Sequence, residues 1–166
     1  IGKKRNIANK KAKGDIIVIM DDDDFYPVNR VAYVVDKLIN SRKLISGSTC
    51  IPILYLEEKE LWMTGPYGNN HATAATFAFK RKLLYITKFN DDSKGGEEKE
   101  FLKGYTIPMI QIDPFSSIIC IAHKSNTFEK HQIRLNPKKY KSKRLTIDKS
   151  CLDKINQIDE YYKNLI

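Results

Sequence analysis

The chain has 166 residues, of which 42% are hydrophobic and 30% are charged, so it is long enough for one domain with a core of its own. This composition excludes a disordered or fibrous protein, and no apolar run reaches the roughly 18 residues of a transmembrane helix. Without a signal-peptide pattern at Ile1, the sequence predicts a cytoplasmic protein. The missing initiator Met, in a chain that opens inside a predicted helix, indicates a truncated N-terminus.

The first predicted elements are a polar helix that ends at Gly14, a short strand over residues 15–20 and a helix that begins near Pro27. The strand is a continuous apolar run rich in β-branched residues, which is typical of a strand buried on both faces of a parallel sheet. One apolar face is predicted for the second helix, with Val31, Val34, Val35, Leu38 and Ile39 at helical spacing. Residues 21–24, all aspartates, therefore lie in a loop after a strand, where open α/β sheets bind ligands.

The rest of the chain predicts further strands and short helices, and together they indicate an α/β fold. A strand is expected over residues 43–50, a hairpin over 51–65 and a loop over 67–75. A strand to Phe79 is followed by a short helix, and a turn over residues 90–96 leads to another short helix. Two more strands, over 107–112 and 116–123, precede a C-terminal helix over 150–166.

Four neighbouring carboxylates repel one another, and such crowding raises their pKa values unless a cation lies among them. A cation such as Mg²⁺ or Mn²⁺ takes one or two ligands from protein carboxylates, and phosphate oxygens and waters complete its shell. We therefore expect two of the four aspartates to bind a metal ion and one to bind a sugar hydroxyl. The alternative is a polar turn with solvated acids that caps the next helix.

Glu97 and Glu98 form a second acidic cluster, directly after two glycines that allow a tight turn. Either glutamate could be a general base that takes a proton from an attacking hydroxyl, or both could simply suit a helix N-terminus. Lys4 and Arg5 could contact a diphosphate, because Arg binds phosphate through two hydrogen bonds. The alternative for these two is an exposed basic face of the first helix.

Aromatic and imidazole side chains supply the other candidates. His123, at the end of a predicted strand, could be a third metal ligand, although a lone His is more often structural. His71 is also a lone His that is more often structural, and its functional alternative is contact with the molecule whose hydroxyl attacks. Trp62 and Tyr67 could stack on a sugar ring, or they could only pack beside the hairpin. The cysteines, Cys50, Cys120 and Cys151, lack the spacing of a zinc site and predict reduced thiols, with Cys120 in the core.

The positive charge is concentrated near the C-terminus. Between residues 124 and 149 there are nine Lys or Arg side chains and only two acids, so this segment carries a net charge of +7. We predict a basic connector over residues 129–149 that binds an anionic surface such as phosphate groups or acidic lipid, whereas nucleic acid is the less favoured partner. A solvated basic tail is the alternative.

Four stretches together resemble the inverting glycosyltransferases of family 2, which have the GT-A fold. They are KKRNIANKKAKGDIIVIMDDDDFYP, ATFAFKRKLL, GGEEKEFL and IAHKSNT, and the resemblance covers roughly residues 3 to 127. It implies a mixed, mostly parallel, Rossmann-like sheet flanked by helices. It also implies a catalytic domain over residues 1–128 without the N-terminal part of its donor-binding half, followed by the connector 129–149 and the helix 150–166.

The resemblance implies transfer of a sugar with inversion, from a nucleotide-diphosphate sugar, usually a UDP-sugar, to a hydroxyl of a glycan, protein or lipid. It implies Mn²⁺ or Mg²⁺ as cofactor, with Asp23 as the metal ligand and Asp22 in its place if the register differs. By position, Asp21 matches the acid near the donor's ribose or sugar, Arg5 matches a donor contact, and His123 matches a residue near the diphosphate or metal. Glu98 matches the base, with Glu97 next in line. Lys4 and Asp22 are further candidates for donor binding, and His71 and Trp62 are the candidates for acceptor binding. The family commonly has Asp where this chain has Glu98.

Two other function classes fit part of the pattern. One is a metal-dependent phosphodiesterase or nuclease, in which the acids hold two metal ions and the basic segment binds nucleic acid. The other is a non-catalytic interaction domain that keeps the architecture of a glycosyltransferase and binds no metal. Preference for uridine nucleotides separates the leading interpretation from the nuclease, and metal binding separates it from the non-catalytic domain.

Overall fold

A computed structural model describes residues 1–124, 126 and 129–163. The helices are α1 Gly2–Lys11, α2 Arg30–Ile39, α3 Glu98–Phe101, α4 His131–Leu135, α5 Pro137–Tyr140 and α6 Lys149–Lys163. The strands are β1 Ile16–Val18, β2 Ile45–Gly47, β3 Ile51–Tyr55, β4 Glu60–Thr64, β5 Ala78–Lys80, β6 Met109–Gln111, β7 Cys120–Ala122 and β8 Lys143–Arg144. Short 3₁₀ helices span Ala74–Thr76 and Arg81–Tyr85.

The strands form two mixed four-stranded sheets, in the orders β1-β5-β2-β6 and β7-β3-β4-β8. The predicted mixed α/β fold is therefore confirmed, but the prediction of mostly parallel pairing needs correction. In each sheet one reversed strand, β5 or β4, lies between strands that run the other way, so among the strands described only β2–β6 and β3–β7 pair in parallel. The predicted hairpin is present as β3 and β4, because its short connection allows only an antiparallel pair.

Both faces of β1 are covered, as its apolar sequence predicts. Ile17 packs in a core with Phe77, Phe79 and Phe101, whereas Ile16 and Val18 pack on the other side. The helix before this strand ends at Lys11 and not at the predicted Gly14. Ala12 is extended, and the Arg81 guanidinium donates to the carbonyls of Ala12 and Gly14.

The helix after the acidic loop begins at Arg30, three residues beyond Pro27. Its predicted apolar face is only partly buried: Val34 and Leu38 are inaccessible, whereas Val31 and Ile39 are exposed. The buried pair packs against Ala78 of β5 and so places α2 against the first sheet.

Residues 129–149, the predicted basic connector, contain α4, α5 and β8, and β8 pairs with β4 in the second sheet. Helix α6 packs Ile155 and Ile158 against Leu54, Leu61 and Ile121 of the same sheet. The division into domains stays a prediction, and residues 164–166 of the predicted helix lie outside the described residues, as do Ser125 and Thr127 of the last family-like stretch. None of the helices described is long and apolar enough to cross a membrane.

Candidate active site

Two loops that carry carboxylate side chains meet at the side chain of Arg5 on α1. The acidic loop, residues 21–24, follows β1, and the glutamate loop, residues 95–98, leads into α3. Nη1 and Nη2 of Arg5 donate to the two carboxylate oxygens of Asp21 at 3.0 and 3.1 Å, and Nε donates to Glu97 at 2.8 Å. Burial of Arg5 lowers its pKa, but the hydrogen bonds and negative charges of Asp21 and Glu97 outweigh burial and raise that pKa.

Helix α1 is fixed against the segment that precedes the glutamate loop. A Cβ atom at Gly2 would lie 1.7 Å from the carbonyl oxygen of Asn90, so only glycine allows this contact. The Asn6 side chain accepts from the Phe89 N–H and donates to the Phe89 carbonyl and to Asp91. The helix therefore carries Arg5 to a fixed position between the two loops.

Asp24 anchors the acidic loop to β7. Its side chain is only 5% exposed, and its Oδ1 accepts from the Ile121 N–H at 2.9 Å and from Lys130 Nζ at 3.2 Å. Burial raises the pKa of Asp24 above its usual range, although the charge of Lys130 and the Ile121 hydrogen bond act against this rise. Cys120, which is buried in the core as predicted, lies 3.5 Å from Oδ2 of Asp24.

Asp23 faces His123 and Asn126 at the open side of the same loop. Its carboxylate is 43% exposed, and Oδ2 lies 3.2 Å from His123 Nε2 and 3.2 Å from Asn126 Nδ2. Asn126 Nδ2 also lies 2.6 Å from His123 Nε2, so the amide group lies close to both of these atoms. Asp22, the remaining member of the loop, is exposed.

The predicted divalent cation can be tested against this donor set. Ligand atoms at about 2.1 Å from an octahedral cation lie about 3.0 Å apart when they are neighbours. The 3.2 Å between Asp23 Oδ2 and His123 Nε2 is close to that separation, and the carboxylate of this pair is the ligand type that suits Mg²⁺ or Mn²⁺. In the described ranges no group of three or more His, Cys, Asp or Glu side chains could hold a metal ion, so these two residues fit a cation only if other oxygens complete its shell.

Glu98 differs from Glu97 although the two are neighbours. Glu97 is 6% exposed and bonded to Arg5, whereas in the described residues the Glu98 carboxylate receives a hydrogen bond only from its own backbone N–H. Burial first, and then the negative charge of Glu97, raise the pKa of Glu98, while Arg5 acts in the opposite direction. A carboxylate with a raised pKa and no side-chain partner is suited to accept a proton.

The predicted acceptor residues lie in different surroundings. His71 lies between the rings of Tyr67 and Tyr105, with 4.8 Å between centroids on each side, and its Nδ1 is buried without a partner in the described chain. Burial lowers the pKa of His71, while burial and the charge of Glu98 raise the pKa of Tyr105. Trp62 lies on β4 in the second sheet, where its indole N–H donates to Glu60. Lys4 is exposed on α1.

Several residues of this site were missed by sequence reasoning. The Tyr26 hydroxyl accepts a hydrogen bond from the Asp21 N–H at 2.8 Å and so stabilises the start of the acidic loop. Lys130 and Asn126 were not singled out, because nothing in their local sequence connects them with aspartates about a hundred residues earlier. The sequence predicts Glu97 as a base or as an acid at a helix N-terminus, and its ion pair with Arg5 has no sequence signal.

The family model described as Glycosyl transferase family 2 matches residues 1–91. Because the match covers more than half of the chain, the chain belongs to glycosyl transferase family 2, as its motifs predict. No curated protein matches the chain. The matched residues include Arg5 and the acidic loop, whereas Glu98 and His123 lie beyond them. The family makes this chain a glycosyltransferase, which takes a nucleotide-sugar donor and an acceptor, and it favours that function over a nuclease.

Proposed function

We propose that the protein transfers a sugar with inversion from a UDP-sugar to an acceptor hydroxyl, with Glu98 as general base and Mn²⁺ or Mg²⁺ as cofactor. The observation that supports this most is the difference between the two glutamates. Glu97 is bonded to Arg5, which also binds Asp21, so the open carboxylate of Glu98 lies one residue from a link to the acidic loop. A base near a donor-binding loop is the arrangement that a single displacement requires.

The reaction follows from proton and bond balance. The Glu98 carboxylate takes the proton of the acceptor hydroxyl, and the oxygen attacks the anomeric carbon from the face opposite the diphosphate. The bond between the anomeric carbon and the diphosphate oxygen breaks, and UDP leaves with that electron pair. One displacement inverts the anomeric configuration. The raised pKa of Glu98 brings the base closer to a neutral operating pH.

The acidic loop is proposed to hold the donor. Asp23 and His123 would hold the cation, and Asp22, which is exposed, is the alternative ligand or a contact to the ribose. When bound, a cation supplies Lewis-acid stabilisation of the charge on the diphosphate. Both oxygens of Asp21 accept from Arg5, and we assign the remaining acceptor capacity of this carboxylate to the hydroxyls of the donor.

The acceptor is proposed to be a hydroxyl of a glycan, protein or lipid, with His71 as one contact because its buried Nδ1 has no partner among the described residues. Trp62 is the weaker candidate, since its indole N–H is already bonded to Glu60. We also propose that the basic connector, residues 129–149, binds an anionic lipid surface. Its support is a group of exposed cations, namely Lys138, Lys139, Lys141 and Lys143.

A donor screen tests the proposed function. The protein is incubated with a panel of nucleoside-diphosphate sugars and Mn²⁺, with simple alkyl glycosides as acceptors, and product anomers are assigned by NMR spectroscopy. We expect UDP release and a product of inverted configuration with at least one UDP-sugar. A product of retained configuration contradicts the mechanism, and hydrolysis of nucleic acid without any sugar transfer supports the nuclease alternative. Absence of both Mn²⁺ binding and sugar transfer with every donor supports the non-catalytic alternative.

A further inference from the structure

We propose that Arg5 is a positioning residue that holds the acidic loop and the glutamate loop in one fixed arrangement, and that it does not bind the donor diphosphate. The two loops are 71 residues or more apart in the sequence, and their side chains meet on one guanidinium. The functional meaning of this arrangement rests on the proposed function, whereas the arrangement itself does not.

The geometry of the contact fits a guanidinium and no other side chain. Arg5 presents Nη1 and Nη2 to the two oxygens of Asp21, which is a two-pronged pair, and turns Nε to Glu97. Lysine has a single ammonium group on a flexible stem and cannot reproduce three bonds in one plane. The Arg5 side chain is 13% exposed, so these charged hydrogen bonds are partly shielded from water.

The local charge balance disfavours a diphosphate at Arg5. Two carboxylates, Asp21 and Glu97, lie on one guanidinium, so the cluster carries a net negative charge when all three groups are ionised. Three of the five N–H donors of Arg5 are used within the chain. An additional anion would meet repulsion from both carboxylates, and the donor contact implied by the family resemblance would require Arg5 to leave them.

Arg5 also fixes the start of α3, on which Glu98 lies. Glu97 is the residue before that helix, and its carboxylate is held by Arg5. Helix α1 is itself held at Gly2 and Asn6 against residues 89–93, so Arg5 extends from a rigid base. Loss of Arg5 should therefore loosen both loops while the rest of the fold remains.

Hydrogen exchange followed by mass spectrometry tests the proposal without any substrate. The variants are Arg5→Met, Arg5→Lys and, as the matched control on the same helix, Lys4→Met, which replaces an exposed cation. In Arg5→Met we expect residues 19–26 and 93–104 to exchange at least about tenfold faster, the loss expected for a hydrogen bond to a charged group. Arg5→Lys should restore little of this protection, and Lys4→Met should behave as the parent protein.

Peptides from the β3–β4 hairpin report global stability, so faster exchange there as well as in the loops would mean that Arg5 only stabilises the fold, which overturns the proposal. Asp21→Asn provides the second test, since it weakens only the acidic-loop end of the contact. We expect this variant to increase exchange in residues 93–104 as well. Unchanged exchange in that segment would show that Arg5 holds each loop separately, which also overturns the proposal.

Kinetics separate positioning from donor binding once a donor is known. In Arg5→Met we expect kcat to fall by about a hundredfold, the effect of a small misplacement of a catalytic group. The KM of the UDP-sugar should rise much less than kcat falls, because the loosened acidic loop keeps its own contacts to the donor. A large rise in KM with kcat unchanged would make Arg5 a donor contact and overturn the proposal. If the parent protein transfers no sugar, the proposed function fails, and the exchange experiment still decides the role of Arg5.

Discussion

The acidic loop and the glutamate loop solve the same problem, which is how to place several carboxylates side by side and give them different roles. In the acidic loop Asp24 is 5% exposed and bonded to Lys130, while Asp23 is 43% exposed and faces His123. In the glutamate loop Glu97 is bonded to Arg5 and Glu98 is not. In both loops a partly buried cation binds one acid, and the neighbouring acid has no such partner among the described residues.

The two loops differ in what the open acid faces. The exposed carboxylate of Asp23 lies beside the His123 imidazole and the Asn126 amide. This position suits a ligand of a cation whose other ligands are donor phosphate oxygens or waters. Glu98 is partly buried, and burial raises its pKa, which suits a proton acceptor. The proposed function thus assigns two chemistries to acidic side chains, and burial and neighbours are the physical basis of the difference.

The largest effect is expected for Asp23→Asn, the open acid of the acidic loop. Removal of a direct ligand should cost more than the loss of a group that only orients one, so UDP affinity in the presence of Mn²⁺ should fall by more than about a hundredfold. Isothermal titration calorimetry measures this change, and Asp22→Asn is the matched control one residue away. If Asp22→Asn loses binding and Asp23→Asn does not, Asp22 is the ligand.

Asp24→Asn should act on stability, because Asp24 is the structural acid of the same loop. The change leaves the partly buried ammonium of Lys130 without its charged partner, and we expect a loss of about 1–3 kcal/mol in the free energy of unfolding. Urea denaturation checks this, again with Asp22→Asn as control. Equal stability of the two variants would contradict the division of roles within the acidic loop.

A smaller effect is expected for Lys138→Gln in the basic segment, which lies outside both loops. Each cation near an anionic surface contributes about 1 kcal/mol to binding, so affinity for vesicles that contain phosphatidylserine should fall about fivefold. Sugar transfer should not change. Binding to neutral vesicles gives the baseline, and equal affinity of variant and parent for anionic vesicles would make the segment a plain solvated surface.

The smallest effect is expected for the stability of Glu98→Gln, because an ionised, partly buried Glu98 without a side-chain partner among the described residues destabilises the fold slightly. Because the folded protein raises the pKa of Glu98, the unfolded chain loses this proton at lower pH, and ionisation destabilises the fold as pH rises through the folded pKa. Glu98→Gln should therefore be slightly more stable than the parent at pH 7, and the difference should vanish below the unfolded pKa. Thermal unfolding of variant and parent at pH 7 and at a pH below the unfolded pKa of Glu98 measures this difference in stability. A variant less stable than the parent at pH 7 would contradict the prediction.

Local patterns predicted the positions of both loops but not the roles of their members. The apolar strand before residues 21–24 and the glycines before Glu97 are short-range signals, and the structure has a loop at each place. The partners that assign roles lie far away in sequence: Arg5 and Glu97 are 92 residues apart, and Asp24 and Lys130 are 106 apart. Pairing of β5 between β1 and β2 is likewise a long-range property, which explains why the predicted sheet was too parallel.

The central claim is that Glu98 is the general base. The most direct test compares the transfer rates of Glu98→Gln and Glu97→Gln, measured with the donor and acceptor that the screen identifies. Both changes keep the size of the side chain and remove its basicity. We predict that Glu98→Gln binds UDP normally and transfers sugar at least about a hundredfold more slowly, while Glu97→Gln, which keeps an acceptor for Arg5, loses less. A Glu98→Gln variant that transfers sugar at the parent rate would contradict the assignment of Glu98 as the base.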